Sequence, residues 1–411
     1  MKRRLAAILL AAMLCGTLTG CGADAGHVSS VSRVSGKEPD EAFCASQTAF
    51  ALRLMQETVK NDEGSNLLIS PYSVMQALGM TANGAAGNTR TEMETALGGI
   101  PAEQLNAYLK YQRETMPAHR SSKIKNANSL WLRDQGSNIH FLDSFLNLTR
   151  NCYDAKIKAS PMDQSTVREI NRWCCNQTDN MIPEMISGEI PATSVMLLVN
   201  AVCFNGKWAE KYEDDPEPGV FTAYNGRKQL AQMMFSEDNQ YLKCSGASGF
   251  LKPYKGGDYV FAAILPNANR TPAEWLSGLE PKELRTMLTQ AEPCDLYVGM
   301  PEFSYDYNTE LTPVLQTLGM RDAFSKEQAD FSGIAETSEE NKLYISGVKH
   351  KTHIEVDTKG TRAAAVVEVD MAMYVSVTEP FILNRPFVYM IVETQTMIPV
   401  FIGILNEIPD A

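Results

Sequence analysis

GTRAAAVVEVDMAMYVSV, Gly360–Val377, has the pattern of a β-strand. Taking alternate positions, Thr361, Ala363, Ala365, Val367, Val369, Met371, Met373, Val375 and Val377 form one unbroken apolar series, while Arg362, Glu368 and Asp370 fall in the other. Successive side chains of a strand point to opposite faces, so the stretch predicts one apolar face and one charged face. Eighteen residues would span roughly 55 Å at about 3.3 Å per residue, whereas ordinary strands run to about 5–6 residues. The pattern is that of a strand longer than a globular domain is expected to house.

The rest of the chain is an ordinary globular composition: 411 residues, 44% hydrophobic, 21% charged and 8% aromatic, which excludes a disordered or fibrous protein. The net charge is −12 and no run of Lys and Arg stands out, so a nucleic-acid partner is not expected. Helical spacing of apolar residues, with turn and capping residues at the ends, predicts helices over Glu41–Val59, Pro71–Ala82, Thr89–Leu97, Ala102–Thr115, Leu142–Tyr153, Gln164–Thr178, Pro272–Gly278, Pro281–Thr289 and Thr309–Leu318. Strand-like runs cover Ser194–Phe204, Phe250–Tyr254, Tyr259–Leu265, Cys294–Met300, Lys342–Val356 and Phe387–Leu405. Helices dominate the first half and strands the second, the arrangement of an α+β fold.

Residues 1–20 read as a targeting segment. Lys2, Arg3 and Arg4 precede the apolar stretch Leu5–Leu14, as in a secretory signal. Leu18-Thr19-Gly20-Cys21 resembles the lipobox of bacterial lipoproteins, which predicts lipidation of Cys21 and an extracellular, cell-surface protein anchored to the bacterial membrane without a spanning helix. Residues 21–39 read as a flexible tether and 40–411 as the folded domain. Of nine cysteines, removal of Cys15 and lipidation of Cys21 leave seven at irregular spacing, which is no disulfide framework.

Polar residues inside apolar runs mark candidate sites. Asn200 interrupts MLLVNAVCFNGKW (Met196–Trp208), apolar on both faces and therefore expected between two layers. His350 stands in a similar run, Tyr344–Val356. Each must find hydrogen-bond partners or cost a few kcal/mol. Ser70 and Ser73 are placed to cap a helix, or to join Asn200 and His350 in one buried polar cluster.

Five separated segments resemble, in order and spacing, the signature segments of the serpins: Asn66–Met93, Leu198–Trp208, Ala329–Ile334, Ile345–Ala365 and Phe381–Ile391. The resemblance runs from about Ala42 to Ile408. It implies three β-sheets, about nine helices and an exposed reactive-centre loop at about 359–380. It also implies a suicide-substrate inhibitor of serine proteases, with cysteine proteases as further targets, acting as a monomer without cofactor or metal. The loop would be cut by the protease and enter the main sheet as a new strand, so the pattern of Gly360–Val377 describes the later state. The hinge would be Gly360, Thr361, Ala363, Ala364 and Ala365, small residues able to slip between strands already in place. Ser70, Ser73, Asn200 and His350 match the polar cluster beneath the sheet, and Trp208 the aromatic residue where insertion begins. The reactive bond falls at Met373, Tyr374 or Val375, which suits chymotrypsin-like or elastase-like proteases. Thr358 and Arg362 stand where the family usually has Glu, and Val366 and Val367 are bulkier than usual.

Catalysis by the chain itself is not expected. Gly246-Ala247-Ser248-Gly249 falls short of a nucleophile elbow. His350 and His353, an odd number apart in a strand, point to opposite faces and cannot share a metal. The alternative is a non-inhibitory member of the family, either a binding or chaperone-like module or a plain protease substrate.

Overall fold

The computed structural model describes residues 34–116, 118–119, 121–134, 140–212, 215–336, 342–361 and 380–409. The predicted residues Cys21, Ala363, Ala364, Ala365, Met373, Tyr374 and Val375 lie outside them. Among the described residues there are nine α-helices and three sheets of nine, seven and two strands, the expected α+β architecture. The helices are α1 (Glu41–Asn61), α2 (Pro71–Ala82), α3 (Gly87–Ala96), α4 (Ala102–Thr115), α5 (Asp143–Tyr153), α6 (Gln164–Gln177), α7 (Pro272–Ser277), α8 (Pro281–Thr289) and α9 (Thr312–Thr317).

Local chemistry accounts for several helix starts. Asp40 accepts from the Phe43 N–H at the start of α1, Ser70 caps α2 with Pro71 in its first turn, and Asp163 accepts from the Ser165 and Thr166 N–H groups at α6. All twelve residues of α2 are buried, as a helix apolar around most of its circumference requires.

The seven-stranded sheet positions the site. From one edge it runs Phe303–Glu310, Val348–Asp357, Gly360–Thr361, Met196–Lys207 and Ser122–Arg133, with Ala118–His119 and Lys156–Ser160 flanking the last. The Met196 strand is covered on both faces, as its sequence predicted. Leu198, Val202 and Phe204 enter the large core shared with α1, α2 and the nine-stranded sheet, whereas Leu197, Val199 and Ala201 pack with Trp131 under Val167, Ile170 and Cys174 of α6.

Several sequence expectations need correction. Thr309 and Glu310 end a strand, and α9 begins only at Thr312. The strand expected from Lys342 begins at Val348, and Phe387–Leu405 is two antiparallel strands joined at residues 394–397. The 12-residue Ser122–Arg133 and 17-residue Lys228–Cys244 strands were not anticipated. Strands of that length show that the fold can house a long run such as Gly360–Val377, so length alone is no obstacle to one.

Candidate functional site

The Val348 and Met196 strands form a fork. They pair in parallel over only four positions, Val348↔Leu198 to Lys351↔Ala201. At the far end Gly360–Thr361 lies antiparallel between them, with Thr361 opposite both Val356 and Gly206 and Gly360 opposite both Asp357 and Lys207. Between these two contacts, no described strand separates or joins Thr352–Glu355 and Val202–Asn205. Among the described residues the sheet thus leaves a slot of four positions between these strands, bounded below by a parallel ladder and above by two residues of the predicted hinge.

Packing determines what occupies the slot entrance. Thr361 is 1% exposed, and its Oγ1 lies 2.6 Å from Tyr254 Oη, so the series beginning at Thr361 starts on the buried face. A Cβ on Gly360 would sit 2.1 Å from the Gly206 carbonyl oxygen and 2.8 Å from Lys207 Cα, so no larger residue fits where the hinge strand meets the Met196 strand. Trp208 stacks on Tyr254 with centroids 4.6 Å apart. Its indole N–H donates to the Asp357 carbonyl at 2.9 Å and its backbone N–H to that of Lys359 at 3.1 Å. The Asp357 carboxylate accepts from the Lys359 and Gly360 N–H groups, fixing the turn that delivers the hinge.

Beneath this aromatic layer lies a buried charge pair that the sequence did not reveal. Lys252 Nζ is 3.3 Å from Asp238 Oδ2 and 3.0 Å from Ser236 Oγ, and stands 4.3 Å above the Tyr212 ring. Burial pushes the Asp238 carboxyl up and the Lys252 amine down, and their mutual attraction opposes both shifts. Removing one partner would leave the other charge buried alone, a change that typically costs about 3–5 kcal/mol.

The four polar residues expected in one cluster form two networks. The Ser70 N–H donates to His350 Nε2 at 3.0 Å, Ser70 Oγ donates to the Val400 carbonyl at 2.8 Å, and the Ser73 N–H donates to Ser70 Oγ at 3.3 Å. Asn200 faces His350 in register but bonds sideways, its amide N–H groups donating to Asn128 Oδ1 at 2.6 Å and Asn126 Oδ1 at 2.9 Å. The antiparallel register sets Asn128 directly opposite Asn200, which puts amide oxygens within reach, while Ser70 already engages the imidazole. Asn126 and Asn128 were missed because KIKNANS (Lys123–Ser129) lacks an apolar run; their shared parity with Ile124 was the available signal. His353, on the opposite face, pairs with Asp306 at 2.7 Å.

Burial pushes His350 down to about 4, and Nε2 accepts a hydrogen bond, so the imidazole is neutral at pH 7. An unfolded histidine titrates near 6.5. Between pH 6.5 and 4 the unfolded chain binds a proton there that the folded chain refuses, so folded stability falls with pH by about 3 kcal/mol across that window. Melting temperatures measured from pH 7 to 4.5 are expected to fall less steeply for His350→Gln than for the wild type; equal slopes would remove His350 from this role.

A family model described as serpin (serine protease inhibitor) matches residues 45–408. Leukocyte elastase inhibitor A of Mus musculus is 27% identical over 384 residues, covering 88% of this chain and 98% of its own. The leukocyte elastase inhibitor of Bos taurus is 29% identical over 385 residues, covering 89% and 100%. Among solved structures, the thermophilic serpin tengpin in its native state is 35% identical and superposes with a TM-score of 0.85 over 92% of this chain and 98% of its own. Tengpin in its latent state is 36% identical, with a TM-score of 0.81 over 91% and 100%.

Proposed function

The chain belongs to the serpin (serine protease inhibitor) family, and from that premise we propose that it is a suicide-substrate inhibitor of chymotrypsin-like or elastase-like serine proteases, cut at Tyr374 or an immediate neighbour. The observation that carries this reading is the four-residue slot between Thr352–Glu355 and Val202–Asn205, already entered by Gly360–Thr361. Continuing that register sets Arg362 beside Glu355 and Asn205, Ala363 between Ile354 and Phe204, Ala364 beside His353 and Cys203, and Ala365 between Thr352 and Val202. Ile354, Phe204, Thr352 and Val202 are buried, so the inward positions admit only small side chains, and the chain supplies alanine at both. Arg362 falls on the outward face, where a charge is tolerated.

Insertion beyond Ala365 must part the parallel ladder and separate His350 from Asn200. We assign that ladder as the barrier holding the uncut chain short of its most stable state. After cleavage the freed strand is driven in, and a protease still esterified to it is carried along and trapped. We extend the reading to location: lipid on Cys21 holds the inhibitor at the bacterial cell surface, and palmitate labelling that survives Cys21→Ser would contradict this.

Incubation with chymotrypsin and neutrophil-type elastase tests the central claim. The expected result is a complex stable to denaturing electrophoresis, with release of a peptide whose mass fixes the cut at Met373, Tyr374 or Val375. Clean cleavage with full protease turnover would support the substrate reading instead.

A further inference from the structure

Helix α6 and the sheet-edge strand Lys156–Ser160 enclose an open trough of about 500 Å³ lined by Lys156, Ser165, Arg168, Glu169, Arg172, Trp173 and Asn176. The α6 residues fall at i, i+3, i+4, i+7, i+8 and i+11, a single stripe of the helix. A stripe facing a neighbouring element is ordinarily apolar; this one is cationic and aromatic. Among the described residues the Lys156 strand pairs only with the Ser122 strand, so its other edge offers backbone groups to an added partner.

The charge pattern is specific. Arg168 and Arg172 are exposed, and neither forms an ion pair among the described residues. As like charges at i, i+4 they disfavour the isolated helix. Lys156 Nζ lies 3.2 Å from Glu169 Oε1, and Lys158 bonds the other oxygen of the same carboxylate. Two lysines thus share one carboxylate while the two arginines have none among the described residues, in a chain of net charge −12. They were invisible as a cluster in the sequence because two come from a strand and two from a helix.

We propose that this trough is a docking site for an acidic peptide segment of a partner protein. Two guanidinium forks suit carboxylates in bidentate geometry, and clusters of Arg are a recurrent means of recognising acidic motifs. Glu169 sits in the middle of the trough and would repel a densely sulfated polysaccharide or a phosphate backbone. A peptide can space its carboxylates to either side of it and lay an aromatic ring on Trp173. A partner held there grips α6, whose apolar face covers the Met196 and Ser122 strands.

The probe is a fluorescein-labelled decapeptide alternating Glu and Tyr, titrated against the full chain at low salt. Of the four tryptophans, Trp131, Trp208 and Trp275 are at most 2% exposed, so acrylamide quenching reports chiefly on Trp173. The expected results are a saturable rise in polarisation, protection of the tryptophan from acrylamide, and at least tenfold weaker binding of a Gln–Tyr decapeptide. Arg168→Glu/Arg172→Glu should weaken binding at least tenfold with an unchanged melting temperature. If that variant fails to fold, the wild-type quenching result decides. Absence of saturable binding, equal affinity for the variant and wild type, or binding of dextran sulfate without binding of the peptide would each overturn the proposal.

Discussion

Cutting the chain at Tyr374 is expected to raise its melting temperature by about 20 °C. Entry of about 12 residues between the Val348 and Met196 strands forms 12 or more backbone hydrogen bonds at a net of roughly 0.5–1.5 kcal/mol each. Each inward Val or Met then adds about 1.5–3 kcal/mol on burial. Parting the four-position parallel ladder is a smaller loss, because each new strand position pairs on two sides. A domain of this size unfolds with an entropy of roughly 0.8 kcal/mol/K, so a gain of about 10–20 kcal/mol moves the midpoint by about 12–25 °C. Calorimetry of the intact and nicked chains checks this directly. A nicked chain that melts at the intact temperature would show that the loop does not enter the sheet.

The second large effect concerns Ala363. The Thr361 side chain lies inward against Tyr254, and an inserted strand that continued this alternation would set Ala363 inward two residues later, between Ile354 and Phe204. A carboxylate there would lose its hydration without a cationic partner, which costs several kcal/mol. Every 1.4 kcal/mol is a factor of ten in the partition between trapping and release. Ala363→Glu should therefore cut the yield of denaturation-stable complex at least tenfold and turn the chain into a substrate, while the protease still cleaves it at the wild-type rate. Arg362→Glu, one residue earlier on the outward face, should leave the yield within about twofold. Equal yields for Ala363→Glu and Arg362→Glu would show that the inward register is misassigned.

Much of this fold was legible because its elements carry strong local signals. Pro71–Ala82, Ala102–Thr115 and Pro281–Thr289 begin and end as predicted, since each combines helical apolar spacing with Pro or an acidic residue in the first turn. The Ser122 strand was not legible. Its first half carries Lys123, Lys125, Asn126 and Asn128, whose reasons for being there lie on the neighbouring Met196 strand and at Asp179. Likewise Trp208 was identified by resemblance, but its function as clamp on the Asp357–Gly360 turn rests on Tyr254 and Lys252, distant in sequence and with no motif of their own. His350 stood out because a polar side chain in a buried run demands a partner, but that the partner is the Ser70 backbone N–H, and that Asn200 turns to Asn126 and Asn128, depended on strand packing and register, which no local pattern encodes.

The parallel ladder below the slot has one more implication. Four directly paired positions close the fork at its lower end, and on the proposed route they must part before the loop can advance. The useful lifetime of an uncut molecule is then a matter of rates, timed by that latch, and heating would exhaust a stored sample by silent self-insertion well before any loss of helix became measurable.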